Sequence, residues 1–316
     1  MALLPSLVGK GITIPAGHVV DLIVQVARTT SFSGGTMRRI FRFGRCGVFA
    51  VIGAASLLSQ PAVKAVSAHA NEATFTAWDH RFDGPGTLAA GQTTIHLHNR
   101  GKEPHQLQLL KLVAGKTPAD LAKALKAGTQ GIPEWAKHLG GPNAVGGGHT
   151  SHATLYLEPG SYVIICGIPA KNHHTHATLG MQKTLRVTDT RPPPPEFQGN
   201  FHMAMFEYEF VVVQPLRKGR HTFYVVNRGS QVHQASFIRL NPGASAEDVL
   251  AALEHASPLH MPGTLIGGMS GLEPGRDGTF TAELTPGRYA IMCLFSNPVP
   301  SESHAAKGMV MNFTVE

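Results

Sequence analysis

Cysteine is rare in this chain, with three in 316 residues. One of them, Cys46, sits in a segment that reads as a cleaved leader, so the mature protein keeps only Cys166 and Cys293. The usual catalytic signatures are also missing. There is no Gly-x-Ser-x-Gly, no phosphate-binding glycine loop and no acid pair at a constrained spacing. "GGPNAVGGG" (140–148) is rich in glycine but lacks the lysine and helix start that a phosphate loop needs. An excess of basic charge is lacking too, once its position is considered. The formal net charge of +7 suggests an acidic partner such as nucleic acid. Seven of the 27 Lys and Arg residues precede residue 71, however, against the single acid Asp21, which leaves twenty basic and nineteen acidic side chains beyond it. The nucleic-acid reading therefore fails.

The start of the chain has the parts of an export signal. Met37 is followed by "RRIFRFGR", by the apolar "CGVFAVIGAASLL", and by "AVSAHANEA" with an Ala-His-Ala cleavage motif at 68–70. An apolar region of about 13 residues is too short to span a bilayer and fits a secretory signal. Residues 37–70 are accordingly read as a signal peptide, with residues 1–36 as an upstream extension. Arg38-Arg39 partly matches a twin-arginine signal. The mature chain then begins near Asn71 in an oxidising compartment, periplasmic or secreted.

What is present in abundance is internal repetition. "AAGQTTIHLHNRGKEPHQLQLLKL" (89–112) aligns with "RKGRHTFYVVNRGSQVHQASFIRL" (217–240) at a constant offset of 128. The match continues through "GKTPADLAKAL" and "GASAEDVLAAL", and shifts by one at "EPGSYVIIC" and "TPGRYAIMC". It returns to 128 at Gly180-Met181 and Gly308-Met309. Between the copies lies "TRPPPPEFQG" (190–199), whose four prolines favour a stiff extended spacer. This divides the mature chain into domains at 71–189 and 200–316. Within each copy short β-rich runs end in turn signals, and one helix opens on Thr117 or Ser245 as N-cap. The expected class is all-β: two tandem Greek-key β-sandwiches, each with one short inserted α-helix.

Each copy places one histidine after an Asn-Arg-Gly turn and, about 60 residues later, a cysteine, a histidine and a methionine. The sets are His105, Cys166, His176 and Met181, and His233, Cys293, His304 and Met309. A thiolate with two imidazoles makes a trigonal copper site, and a thioether adds a weak axial contact. Zinc takes Cys, His and carboxylates, so the methionine favours copper. The competing readings are buried Cys and Met as core filler, histidines that merely bond the turn, and a Cys166–Cys293 disulfide, which needs Cα atoms within about 7 Å. His149, His152, His173 and His174 have no clear counterparts in the second copy, and His173 competes with His176 as a ligand. Lys102 and Glu103 read as solvated charges.

At these residues the chain resembles the cupredoxin family of blue copper proteins. The shared features are a first histidine in an Asn-x-Gly context, a Pro-Gly-x-Tyr strand leading to the cysteine, and a loop ending in Gly-Met. The resemblance spans both copies and implies a β-sandwich holding a type 1 copper centre, one or two ions in all, that carries single electrons to a redox partner protein or membrane complex. It is similar to the plastocyanin pattern in its His-x4-Met interval. The nine residues between Cys166 and His176, and ten between Cys293 and His304, exceed the plastocyanin and azurin loops. Multicopper oxidases and nitrite reductases of this family carry histidines beside the type 1 cysteine. Ile165, Gly167, Met292 and Leu294 stand there instead, so the resemblance implies a carrier and not an oxidase. The alternative is a non-redox interaction module, or a protein that stores or delivers copper.

Overall fold

The computed structural model describes residues 70–127, 131–170, 174–188, 196–255, 260–296 and 302–316, and Ala70–Glu316 forms one compact unit. The leader segments and most of the proline spacer lie outside the described residues. No helix among the described residues is long and apolar enough to cross a membrane.

The protein is mostly β-structure, as its short β-branched runs require. Strands β1 (Asn71–Trp78), β2 (Arg81–Asp83), β4 (Gly91–Asn99) and β7 (Thr150–Leu157) come from the first copy. Their equivalents in the second are β10 (Phe201–Phe206), β11 (Glu209–Val212), β12 (Gly219–Asn227) and β15 (Asp277–Leu284). All eight join one sheet in the order β11-β10-β12-β15-β7-β4-β1-β2. Alternate residues of β4 are buried, so one face of this sheet carries Ile95 and Leu97 into the core while His96 and His98 look outward.

Two smaller sheets cover that face. The first copy supplies β3 (Thr87–Ala89), β9 (Gln182–Thr188), β8 (Gly160–Ile165), β5 (Gln108–Leu112) and β6 (Ala136–His138), in that order. The second supplies β14 (Gly263–Leu272), β13 (His233–Leu240), β16 (Gly287–Met292) and β17 (Val310–Val315). Helices α1 (Pro118–Lys126) and α2 (Ala246–His255) start where the sequence places their caps. Thr117 accepts from the Asp120 amide and Ser245 from the Asp248 amide, while the Asp120 and Asp248 carboxylates accept in return from the cap amides. Leu121 and Leu125 then face inward.

The expectation of two separate sandwiches meets a different arrangement, a large sheet common to both copies. It is continuous through β7 and β15, where Ala153 pairs with Phe280 and Thr154 with Thr279. Ala153 and Phe280 are equivalent residues at the repeat offset of 127, so the copies meet about a pseudo-two-fold axis. A second crossing obeys the same symmetry. Leu139, Pro142 and Val145 bridge antiparallel to Leu272, Met269 and Ile266, and Pro142 and Met269 are themselves equivalents. The glycine-rich stretch at 140–148 serves this crossing. A Cβ on Gly141 would sit 2.1 Å from the Leu107 carbonyl oxygen, and one on Gly268, its equivalent, 2.0 Å from that of Ala235. Both have positive φ, 137° and 121°, so only glycine lets the backbones approach this closely.

Candidate metal centres

Each centre begins with the turn after β4 or β12. The Asn99 side chain donates to the carbonyls of Glu103 and Val145 and accepts from the Gly101 amide. Asn227 does the same for Gln231, Leu272 and Gly229. The asparagine thus stitches the loop that carries the first histidine instead of touching the ring. The glycine has its own reason. A Cβ on Gly101 would lie 2.7 Å from His105 Nε2 and 2.3 Å from Asp79 Oδ1, and one on Gly229 would meet His233 Nε2 at 2.8 Å.

The remaining groups arrive from the loops after β8 and β16. The Ala177 amide donates to the Cys166 carbonyl and the Met181 amide to the His176 carbonyl; Ala305 with Cys293 and Met309 with His304 repeat both bonds. The loop is thereby folded back so that cysteine, histidine and methionine return to one place. All eight residues are fully buried. Long Cys–His intervals do not prevent this, because the His176 amide donates to the Ile168 carbonyl and the His304 amide to that of Phe295.

The two triads are nearly superposable. Cys166 Sγ lies 3.7 Å from His105 Nδ1 and 3.4 Å from His176 Nδ1, and the two Nδ1 atoms are 3.1 Å apart. In the second copy the separations are 3.9, 3.5 and 3.0 Å. Three atoms so spaced lie on a circle of radius about 2.0 Å in either copy, the length of a metal–imidazole bond. Protons alone do not satisfy the first set. His105 Nε2 faces Asp79 Oδ1 at 3.1 Å and His176 Nε2 faces Glu103 Oε2 at 2.8 Å, so each ring keeps its proton on Nε2. Two Nδ1 lone pairs then confront each other across 3.1 Å, with one thiol proton to share between them. A cation at the centre removes the conflict, and the donor set of two imidazoles and a thiolate suits copper.

The electrostatics agree. Burial pushes both thiols up to about 12, so ionisation there needs a positive charge close by. Burial also lowers His105, His176 and His233, and takes His304 to about 4, with the nearby His233 as a lesser cause. The rings are therefore neutral and able to ligate at ordinary pH. Cys166 and Cys293 are free thiols in separate triads, not a disulfide. Each copy thus brings together the His-Cys-His set that the sequence singles out.

No family model matches the chain, and no curated protein does. Among solved structures it is similar to auracyanin A, a blue copper protein of Chloroflexus aurantiacus, at 22% identity over 37% of this chain and 98% of that one, with TM-score 0.27. It is also similar to a blue copper oxidase from Nitrosomonas europaea at 14% identity, over 78% and 86% of the two chains and TM-score 0.23. A copper-containing nitrite reductase from Thermus scotoductus matches at 12% identity over 78% of this chain and 60% of that one, with TM-score 0.21. Likenesses this distant leave the chemistry to the geometry of the two centres.

Beyond the eight expected residues, the structure adds a carboxylate pair. Asp79 and Glu207 occupy equivalent turns after β1 and β10 and accept backbone amides from Lys102 and Glu103, or from Ser230 and Gln231. Beside them His80 and Tyr208, both at positive φ, set rings edge-on to His176 and His304 at 5.8 and 5.4 Å. The repeat offset of 128 runs through all four positions and is the signal that points to them. Glu103 is a correction, since this supposedly solvated charge buttresses His176. His149 and His174 are exposed, His152 pairs with His96 across β4 and β7, and His173 lies outside the described residues.

Proposed function

We propose that this is an exported copper protein that carries single electrons through type 1-like centres, and that its partner is a redox protein or membrane electron-transfer complex. The observation that carries the reading is the convergence of Sγ and two Nδ1 atoms in two fully buried triads. Cys166, His105 and His176 would hold one ion and Cys293, His233 and His304 the other, with Met181 and Met309 from the same loops completing each set. Copper, when bound, supplies a one-electron couple. The protein's part is to keep the ligands fixed and dry. Asp79 and Glu103 orient the imidazoles, the Gln234 amide donates to Cys293 Sγ at 3.4 Å, and burial keeps water away so that little reorganises when charge changes.

A carrier is favoured over an oxidase because neither cysteine has a histidine beside it in the chain to lead electrons onward. The export reading rests on the leader at 37–70, and the two-domain, Greek-key reading on the internal repeat and the proline spacer. The deciding experiment is visible absorption and EPR of the purified protein during Cu(II) titration. An intense, reductant-sensitive band saturating at two copper ions per chain is expected, with Cys166→Ser and Cys293→Ser each removing about half of it. A colourless copper-loaded protein, or a band that survives both substitutions, would overturn the assignment and favour storage or a non-redox module.

A further inference from the structure

The outer face of the shared sheet carries histidines that the buried centres do not use. His96 and His98 alternate outward on β4, and His152 stands opposite His96 on β7 in the antiparallel register. Their surroundings are polar. Thr74 of β1 lies beside His96 in the parallel register, and the Thr94 and Thr154 hydroxyls bond each other at 2.9 Å in the next row. All three histidines are partly exposed, and none of their rings has a hydrogen-bond partner among the described residues.

The fold does not call for histidine at these places. The second copy builds the same strands with Tyr224, Val226 and Thr279 at the equivalent positions, residue types that suit a pleated surface. The trio is therefore an addition peculiar to the first copy.

Its geometry suits an ion. The His96 and His152 ring centroids are 5.6 Å apart, with planes inclined at 38°. Two imidazoles that share one ion through bonds of about 2.0–2.1 Å hold their centroids about 5–6 Å apart, so this pair needs little movement. His98 is two residues further along β4, about 6.7 Å away at Cα on the same face. It lies diagonal to His152, a separation that long side chains span, and a turn of its side chain brings a third nitrogen to the pair. Burial, with His96 and Arg220 as lesser causes, holds His152 below its usual value, so its ring is neutral at ordinary pH. Arg220 has Glu283 opposite it in the register of β12 and β15, so its charge does not stand alone beside the trio. A set of imidazoles without carboxylate or thiolate suits borderline cations, not calcium or magnesium.

We propose that His96, His98 and His152 form a metal site separate from the buried triads, which takes one borderline divalent cation, Zn(II) or Cu(II), with water in the remaining position. The site faces away from the core, so the inference is independent of what the triads bind.

The test uses Zn(II), titrated into the metal-free protein while the histidine ring signals are followed by NMR, which separates this face from any uptake by the triads. Saturable shifts of all three rings at one common affinity are expected. His96→Tyr, His98→Val and His152→Thr install the residues that the second copy carries, so the strands should tolerate them. Each should weaken the affinity at least tenfold, whereas His149→Gln, in the exposed turn before β7, should leave it unchanged. Shifts that do not saturate, or that weaken as much in His149→Gln, would mean an adventitious ion only and overturn the proposal. Full affinity in any of the three strand variants would overturn it as well.

Discussion

Glu103 Oε2 lies 2.8 Å from His176 Nε2, whereas the equivalent His304 Nε2 is buried with no hydrogen-bond partner. The cause is one residue, because Gln231 stands at the repeat position of Glu103. His233 is less well held too, with Glu207 at 3.6 Å against 3.1 Å for Asp79 and His105. A carboxylate behind a ligating imidazole fixes the ring and raises its basicity, and its loss costs about 10- to 100-fold in metal affinity. The first centre should therefore bind copper more tightly than the second. Glu103→Gln should lower its affinity at least tenfold and Gln231→Glu should raise that of the second, as read by competition with a Cu(I) chelator. Two equal affinities in the unaltered protein would refute the argument.

Gly101 offers a structural test of the same centre. A methyl group there would collide with Asp79 Oδ1 at 2.3 Å and His105 Nε2 at 2.7 Å; the buried His105 ring has no room to withdraw, and Asp79, although 35% exposed, is held by the Lys102 and Glu103 amides. Gly101→Ala should cost about 1–3 kcal/mol in urea unfolding and weaken copper uptake at the first centre alone. Gly86, which has open space around its would-be Cβ, is the control, and Gly86→Ala should change neither quantity by a comparable amount.

Much of this was legible in the sequence because it was written twice. The repeat exposed His105, Cys166, His176 and Met181 with their counterparts, and the capping pairs Thr117–Asp120 and Ser245–Asp248 marked both helices. Other features depend on contacts that chain order hides. Asp79 sits 26 residues before His105, and no local pattern says that its carboxylate reaches the ring. Glu103 looked solvated because its neighbours are polar, while its partner His176 is 73 residues away. The sheet common to both copies was hidden for a different reason. Its joining strands β7 and β15 read as ordinary alternating strands, and only their exposed edges decide what they pair with.

Burial of His138 makes a prediction about pH. Desolvation, with Lys137 beside it as a lesser cause, lowers it to about 4 from the usual 6.5. Below 6.5 the unfolded chain takes up a proton that the folded one refuses, so stability should be highest above that value and fall as pH drops toward about 4. The slope from one such group is at most about 1.4 kcal/mol per pH unit. Urea midpoints of the metal-free protein between pH 7 and 4.5 should show this decline, less steeply in His138→Phe. An identical slope in the variant would mean that other groups carry the acid sensitivity.

The pseudo-two-fold axis through Ala153 and Phe280 makes the last prediction. A fragment holding only the first copy, residues 70–189, would leave the β15-facing edge of β7 unpaired and uncover Leu139 and Leu155, which are buried at the crossing with Leu272 and Met269. An open strand edge beside apolar surface seeks a partner. Because the natural contact already joins equivalent residues, a second copy of the same fragment can occupy the vacant place, with Ala153 opposite Ala153 and Pro142 opposite Pro142. The fragment should therefore be a two-fold dimer at micromolar concentration by light scattering, with thermal stability that rises with concentration. Thr154→Pro, which puts a ring where β7 meets its neighbour, should break the association. A fragment that is monomeric, soluble and as stable as the full chain would show that the shared sheet is incidental to folding.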